Sequence, residues 1–318
     1  MKKNLFFIFL AAVLLLTACG EKEEKSTTSA IKDNKDEEQS TTQEVTYLGE
    51  KYELPAKIET IVTASQEAME DAAILGIKPA GAIATAGKFP AYLGDSMSEA
   101  EQIGEKTQPS VEKLLQLKPD VILGTSKFQP EVAESLNKVA TMIPVSHIST
   151  NWKDNLLLLG QLSNEKDKAE SIIADYEKNV TEAKDELQAD LSGKKVVMLR
   201  LRGGSLYIYP ESVYFNPVLY TDLGLDVPEE VKAAKAQEMI SLEKLAEMNP
   251  DYLFIQFEES ENADSPTALA DLENNSIWKS LDAVKNKQVY ENVVDPLAAG
   301  GTAWSKTTFL AAFTDIFK

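Results

Sequence analysis

Two arginines stand at alternate positions of Val-Val-Met-Leu-Arg-Leu-Arg-Gly-Gly, residues 196–204. They are the only arginines in the chain, whose other basic residues are thirty lysines. The apolar run reads as a strand. Period-2 alternation puts Met198, Arg200 and Arg202 on one side and Leu199 and Leu201 on the other. Two guanidinium groups pointing the same way from a buried strand are costly unless an anion compensates them. The chemistry they fit is capture of an anion at the carboxyl end of a sheet, where ligands of open α/β folds lie. A solvated surface strand is the plain alternative. Gly203-Gly204, directly after them, favours a tight turn or a close backbone approach.

Lysines occur at comparable loop positions. Lys88 lies in Ala-Gly-Lys-Phe-Pro after a strand expected at 80–85, and Lys106 lies in Gly-Glu-Lys-Thr. Lys127 follows an expected strand at 121–124, and Lys235 lies in Lys-Ala-Ala-Lys-Ala. Taken singly, each reads as a solvated surface lysine.

Other chemistries find little support. The chain has one histidine, His147, in the apolar setting IPVSHIS. It reads as a satisfied structural histidine, whereas sites for free zinc or manganese lean on histidine and carboxylate clusters. A Ser-His-Asp triad would have to use it. The chain has no GxSxG, no H-x-E metal motif and no cysteine beyond Cys19. Tyr207 and Tyr209 could ligate bare iron or haem, but Tyr-Ile-Tyr-Pro is ordinary strand sequence. The chain reads as a binding protein and not as an enzyme.

The elements that must position these residues are legible. The 318 residues, 43% hydrophobic and 26% charged, suffice for a large core or two domains. A net charge of −19 argues against a nucleic-acid partner. Lys2 and Lys3, then the apolar run from Leu5 to Leu16, read as a signal segment over 1–18. Its apolar run is short for a span of about 20 residues, which disfavours a transmembrane anchor. Residues 19–44 are almost wholly polar and read as a disordered tether. With a single cysteine, no disulfide can form within the chain.

The body is built twice. Residues 110–120, SVEKLLQLKPD, and 241–251, SLEKLAEMNPD, share six of eleven positions. Each predicts a short helix stopped near Pro119 or Pro250, followed by a strand buried on both faces. Upstream, 65–83 and 213–231 share a helix-then-Leu-Gly outline. Such units are common in α/β proteins, but their order makes duplicated architecture the economical reading. Between the halves, Ala169, Ile172, Ile173, Tyr176, Val180, Ala183 and Leu187 follow a helical period. A helix capped by Ser163 and stopped at Ser192-Gly193 would run about 40 Å and act as a rigid strut. The expected fold is α/β: two Rossmann-like lobes, at 45–152 and 193–318, joined by a helical region at 153–192.

This order of segments resembles the substrate-binding lipoproteins of ABC iron-siderophore importers over essentially all of residues 45–318. The segments GKFP, GEKTQP, IPVSHIST, YIYPE, VKAAKAQE and DPLAAGGTAWSK are similar to the ferric triscatecholate (bacillibactin-type) subgroup found in bacilli. The resemblance implies capture of a ferric catecholate such as bacillibactin or enterobactin. Hydroxamate, citrate or haem complexes are the alternatives, and an extracellular hydrolase is the more distant one. Lys106, Lys127 and Arg202 match the family's basic triad, Arg200 and Lys235 further basic contacts, and Gln237 a polar one. Lys88 rests on its position alone. Three doubly deprotonated catecholates around Fe(III) make a trianion with aromatic faces, which guanidinium and ammonium groups can neutralise and stack against. The siderophore fills the iron's coordination sphere, so the protein supplies no metal ligand and needs no cofactor. The subgroup carries an amide residue directly after the second arginine, where this chain has Gly203. The resemblance also implies lipidation of Cys19, a place on the outer face of a Gram-positive cytoplasmic membrane and a monomeric state. Docking of Glu112 and Glu243 onto the permease of a permease–ATPase pair is implied as well. Both glutamates sit near helix N-termini, where a carboxylate is favourable in any case.

Overall fold

The computed structural model describes residues 41–318. Cys19, the signal segment and all but the end of the tether lie outside them. A hairpin of Thr42–Tyr47 and Glu50–Pro55 opens the described chain. It begins inside the segment expected to be tether: Thr42, Gln43 and Glu44 are strand residues paired with Pro55, Leu54 and Glu53.

Two sheets follow. The first runs, in spatial order, Gln108–Pro109, Glu101–Glu105, Gly81–Ala84, Ile61–Ala64, Val121–Thr125 and Met142–Val145. All its pairings are parallel except the hairpin Glu101–Pro109. The second runs Glu238–Met239, Ser205–Ile208, Val196–Arg202, Tyr252–Phe257 and Val289–Glu291. Here Val196–Arg202 lies parallel to Tyr252–Phe257 and antiparallel to Ser205–Ile208. Helices cover the central strands, whose residues are buried on both faces. The fold is α/β with two lobes.

The repeated phrase performs the same local task in each lobe. Ser110 caps Val111–Leu117 and Ser241 caps Leu242–Met248, each hydroxyl accepting from the backbone N–H three residues on. Both helices end on a left-handed residue, Lys118 (φ 50°) and Asn249 (φ 43°), just before the proline. The aspartate after it then ties the strand that follows to a central strand of its sheet. Asp120 accepts the backbone N–H groups of Glu59 and Thr60, and Asp251 that of Lys195.

The match is looser upstream. Gln66–Leu75 is a helix capped by Ser65 and closed by Gly76 at φ 69°. Its expected counterpart in 213–231 is shorter and irregular: a helical start at 216–217 runs into a five-residue π turn, Val218–Asp222, before Leu223 and Gly224. The left-handed Tyr214 (φ 62°) bounds it on one side and Gly224 (φ 75°) on the other, and Pro217 is accommodated in its first turn.

The crossing helix spans Lys166–Leu191 and buries Ala169, Tyr176, Ala183, Leu187 and Leu191. Ser163 does not cap its start. It closes the preceding helix Trp152–Leu162, and its hydroxyl bonds back to the Leu159 carbonyl. Beneath the crossing helix, Asp222 accepts from the Tyr176 hydroxyl and from the fully buried Lys306 ammonium, each at 2.6 Å. Lys306 belongs to the last helix, Ala303–Ile316, which also packs on Gln66–Leu75 of the first lobe. One apolar core therefore runs from the first sheet through Val196, Met198, Phe254, Phe309 and Phe313. Val197, Leu199 and Leu201 face a separate core on the other side of the second sheet. The two cores display the alternation of the arginine strand directly.

Candidate functional site

A cleft of about 360 Å³ opens between the carboxyl ends of the two sheets. The first lobe contributes Lys106 from the two-residue turn of the hairpin Glu101–Pro109 and Lys127 from the loop after Val121–Thr125. The second contributes Arg200 and Arg202 from the end of their strand, with Tyr209, Tyr214 and Gln237. Phe128 and His147 complete the aromatic lining. Four of the sequence-selected cations and Gln237 thus meet in one cavity.

Lys88 and Lys235 do not line it. Lys88 closes a tight turn on Thr85 through two backbone hydrogen bonds and points to solvent. Lys235 is exposed beyond the short helix Glu229–Ala233, and its backbone N–H donates to Glu238. Position in a loop does not fix where a side chain points, and these two stand exposed outside the cavity lining.

The charged lining residues that the sequence did not single out are carboxylates, Glu67 and Glu261. Glu261, on the short helix Glu259–Asn262, accepts from Arg200 Nε at 2.9 Å and Nη2 at 2.7 Å on a single oxygen. Its other oxygen lies 3.7 Å from Arg202 Nε. The pair with Arg200 is largely buried, with side-chain exposures of 11% and 12%. In the first lobe, Glu67 lies 3.3 Å from Lys127 Nζ. The anion that the buried arginine requires is therefore supplied by the chain itself.

Several features set this geometry. Gly203 and Gly204 form the two-residue turn after Arg202, at φ 54° and 74°, the left-handed pair that a tight hairpin needs. The tight-turn reading holds, and a Cβ at Gly203 would meet nothing within 4 Å. The buried Asn262 donates to the Leu201 and Glu258 carbonyls and accepts from Gly204 N–H. Gly203 N–H donates to the Glu261 carbonyl. These bonds clip the Glu261 helix onto the arginine hairpin.

Arg200 also lies over the Tyr214 ring, 5.4 Å from its centroid. Burial works against its charge, but Tyr214, Glu261 and Tyr209 outweigh it and hold its pKa above the ordinary value. For Lys106 burial prevails: its pKa is lowered, with Glu261 and Glu67 opposing and Arg200 and Lys127 adding to the effect. His147 Nδ1 shares a 2.8 Å hydrogen bond with the Ser126 hydroxyl, and burial, then Lys127, lower its pKa. It is a satisfied histidine that also borders the cleft.

The floor, Leu297–Ala299, is fastened to the first lobe. Gln66 donates to the Leu297 carbonyl, and Glu70 accepts from Ala299 N–H and from the hydroxyls of Thr302, Ser305 and Tyr92. Away from the cleft, Glu112 and Glu243 are exposed at equivalent places, in the first turns of their helices.

Comparison with known proteins places this architecture. A model of the periplasmic binding protein family matches residues 61–292. The chain belongs to that family. Within it, the iron-uptake system-binding protein of Bacillus subtilis is 53% identical over 86% of this chain and 86% of its own length. The solved structure of the triscatecholate siderophore binding protein FeuA from Bacillus subtilis, complexed with ferri-bacillibactin, superposes with a TM-score of 0.83. It is 52% identical and covers 86% of this chain and 98% of its own. A probable siderophore-binding lipoprotein of the same organism, YfiY, is 33% identical over 81% of this chain and 82% of its own. As a periplasmic binding protein the chain is of an extracytoplasmic, ligand-capturing kind.

Proposed function

We propose that this periplasmic binding protein captures a ferric triscatecholate siderophore in the interlobe cleft and delivers it to an ABC importer. The observation that carries the reading is the convergence of Lys106 and Lys127 from one lobe with Arg200 and Arg202 from the other. Four cations beside Tyr209, Tyr214 and Phe128 suit a ligand that is both anionic and aromatic. The similarity to FeuA, whose structure holds ferri-bacillibactin, supports the same ligand class here. Among the described residues, no three His, Cys, Asp or Glu side chains gather as a metal-binding group.

In this reading Lys106, Lys127, Arg200, Arg202 and Gln237 contact the siderophore, while Lys88 and Lys235 lie outside the contact set. Cys19 carries the lipid that holds the protein at the outer face of the membrane. Glu112 and Glu243, one exposed carboxylate per lobe, dock onto the permease.

A thermal-shift panel tests the ligand. Ferric bacillibactin and ferric enterobactin are expected to stabilise the protein, and ferric hydroxamate and ferric citrate are not. Stabilisation by either of the last two alone would overturn the catecholate reading. Replacing Glu112 and Glu243 together by alanine tests delivery: uptake should stop while siderophore affinity stays unchanged, and a loss of affinity would assign them a structural role instead.

A further inference from the structure

The cleft that is read as an anion site contains two anions of its own. Glu261 accepts two hydrogen bonds from Arg200 and faces Arg202, and Glu67 pairs with Lys127. Each lobe thus matches one carboxylate to its own cation, and both carboxylates line the cavity. Four cations and two carboxylates leave the lining with a net charge of two positives, one short of balancing a trianion.

Neither carboxylate is a loose surface group. Glu67 is buried in the first turn of Gln66–Leu75, where the helix N-terminus favours its charge. Glu261 stands on a helix that Asn262 and Gly203 fasten to the arginine turn. A ligand that uses the same guanidinium and ammonium groups must compete with these oxygens for their N–H donors. Its own charge also repels them.

We propose that Glu67 and Glu261 are resident counter-anions: they hold the cleft cations in place and compete with the anionic ligand for them. Their cost to affinity speeds ligand release to the importer. The proposal rests on the siderophore reading above and adds the residues that tune it. Glu261 acts through Arg200 and Arg202, and Glu67 through Lys127, so both are positioning residues.

Glu261→Gln and Glu67→Gln test it. Glutamine keeps an acceptor oxygen for the cation and removes the charge. Dissociation constants and dissociation rates for ferric bacillibactin are measured by fluorescence quenching and stopped flow, at ionic strengths from about 0.05 to 0.5 M. Glu261→Gln is expected to bind roughly ten-fold more tightly at low salt, the size of one unit charge acting on a trianion at several ångströms. Most of that gain should appear as slower dissociation. Glu67→Gln should move the same way by less, and both variants should show a steeper salt dependence, which a purely structural role would not produce. Unchanged or weaker binding by folded Glu261→Gln overturns the proposal. Should that variant fail to fold, Glu67→Gln carries the same test with the same sign. Binding by the wild type without a gain in the variants overturns the counter-anion role alone. Absence of binding by the wild type overturns the siderophore reading and this proposal with it.

Discussion

Asp120 and Asp251 occupy the same place in the two lobes. Each follows a proline at the end of a seven-residue helix, and each carboxylate accepts from backbone at the entrance to a central strand of its sheet, Asp120 from two N–H groups and Asp251 from one. The backbone N–H groups of the aspartates return the contact, donating to the Thr60 and Lys195 carbonyls. Asp120→Ala strips the acceptor from two N–H groups at once and should cost about 1–3 kcal/mol. Asp251→Ala loses one N–H bond and its ion pair with Lys194. Both variants should unfold earlier in urea and bind ligand normally, since neither side chain lines the cleft. Unchanged midpoints in both would remove the clip's role in stability.

That clip shows why so much of the fold was legible. Ser, Pro and Asp at fixed offsets each satisfy a backbone group, so the phrase carries its structure locally, twice. The arginine strand was legible for a similar reason: a period of two sorts Met198 and Arg200 from Leu199 and Leu201 without knowledge of any partner. Glu261 had no such signature. It sits in an acidic loop of a chain with 51 acidic residues. It reaches Arg200 only because Tyr252–Phe257 pairs in register with Val196–Leu201 and a short helix then turns back over the hairpin. Lys88 and Lys235 are exposed outside the cavity lining, a placement no sequence pattern announces, because loop side chains have no period to read. The pairing of Glu67 with Lys127 likewise depends on tertiary packing that brings a helix start beside a loop.

Asp71 offers a pH test of the joint between the lobes. It is buried, its Oδ1 accepts from Ala303 N–H, and its Oδ2 has no hydrogen-bond partner. Burial, reinforced by Glu70 and Glu67, holds its pKa well above 3.8, and the Ala303 hydrogen bond opposes the shift. The folded protein therefore binds this proton more tightly than the unfolded chain does. The stability it contributes is full below 3.8 and is lost as pH rises through the folded value. Asp71→Asn, which keeps the acceptor for Ala303, should be more stable than the wild type at pH 7, and the difference should vanish near pH 4. Denaturant unfolding across that range checks it, and a constant difference between the two proteins would assign the effect to packing.

Lys106 offers the complementary test in the cleft. The hairpin turn that carries it reaches far enough for Glu261 and Arg200 of the second lobe to bear on its charge, yet burial dominates and lowers its pKa below 10.5. A trianion favours the protonated ammonium, so ligand binding should raise that pKa and draw in a proton. Affinity is then full below the lowered pKa of the free protein. It falls as pH rises above that value and levels off only once pH passes the raised pKa of the complex. Losing one unit charge against a trianion should weaken binding roughly ten-fold. Lys106→Arg keeps a cation that does not titrate in this range, so its affinity should stay flat over the same alkaline interval. Dissociation constants measured from pH 7 to about 10.5, with proton uptake read by calorimetry in two buffers, separate the two proteins. A Lys106→Arg profile that falls in parallel with the wild type would assign the alkaline loss to another group in the cleft and leave Lys106 without its special role.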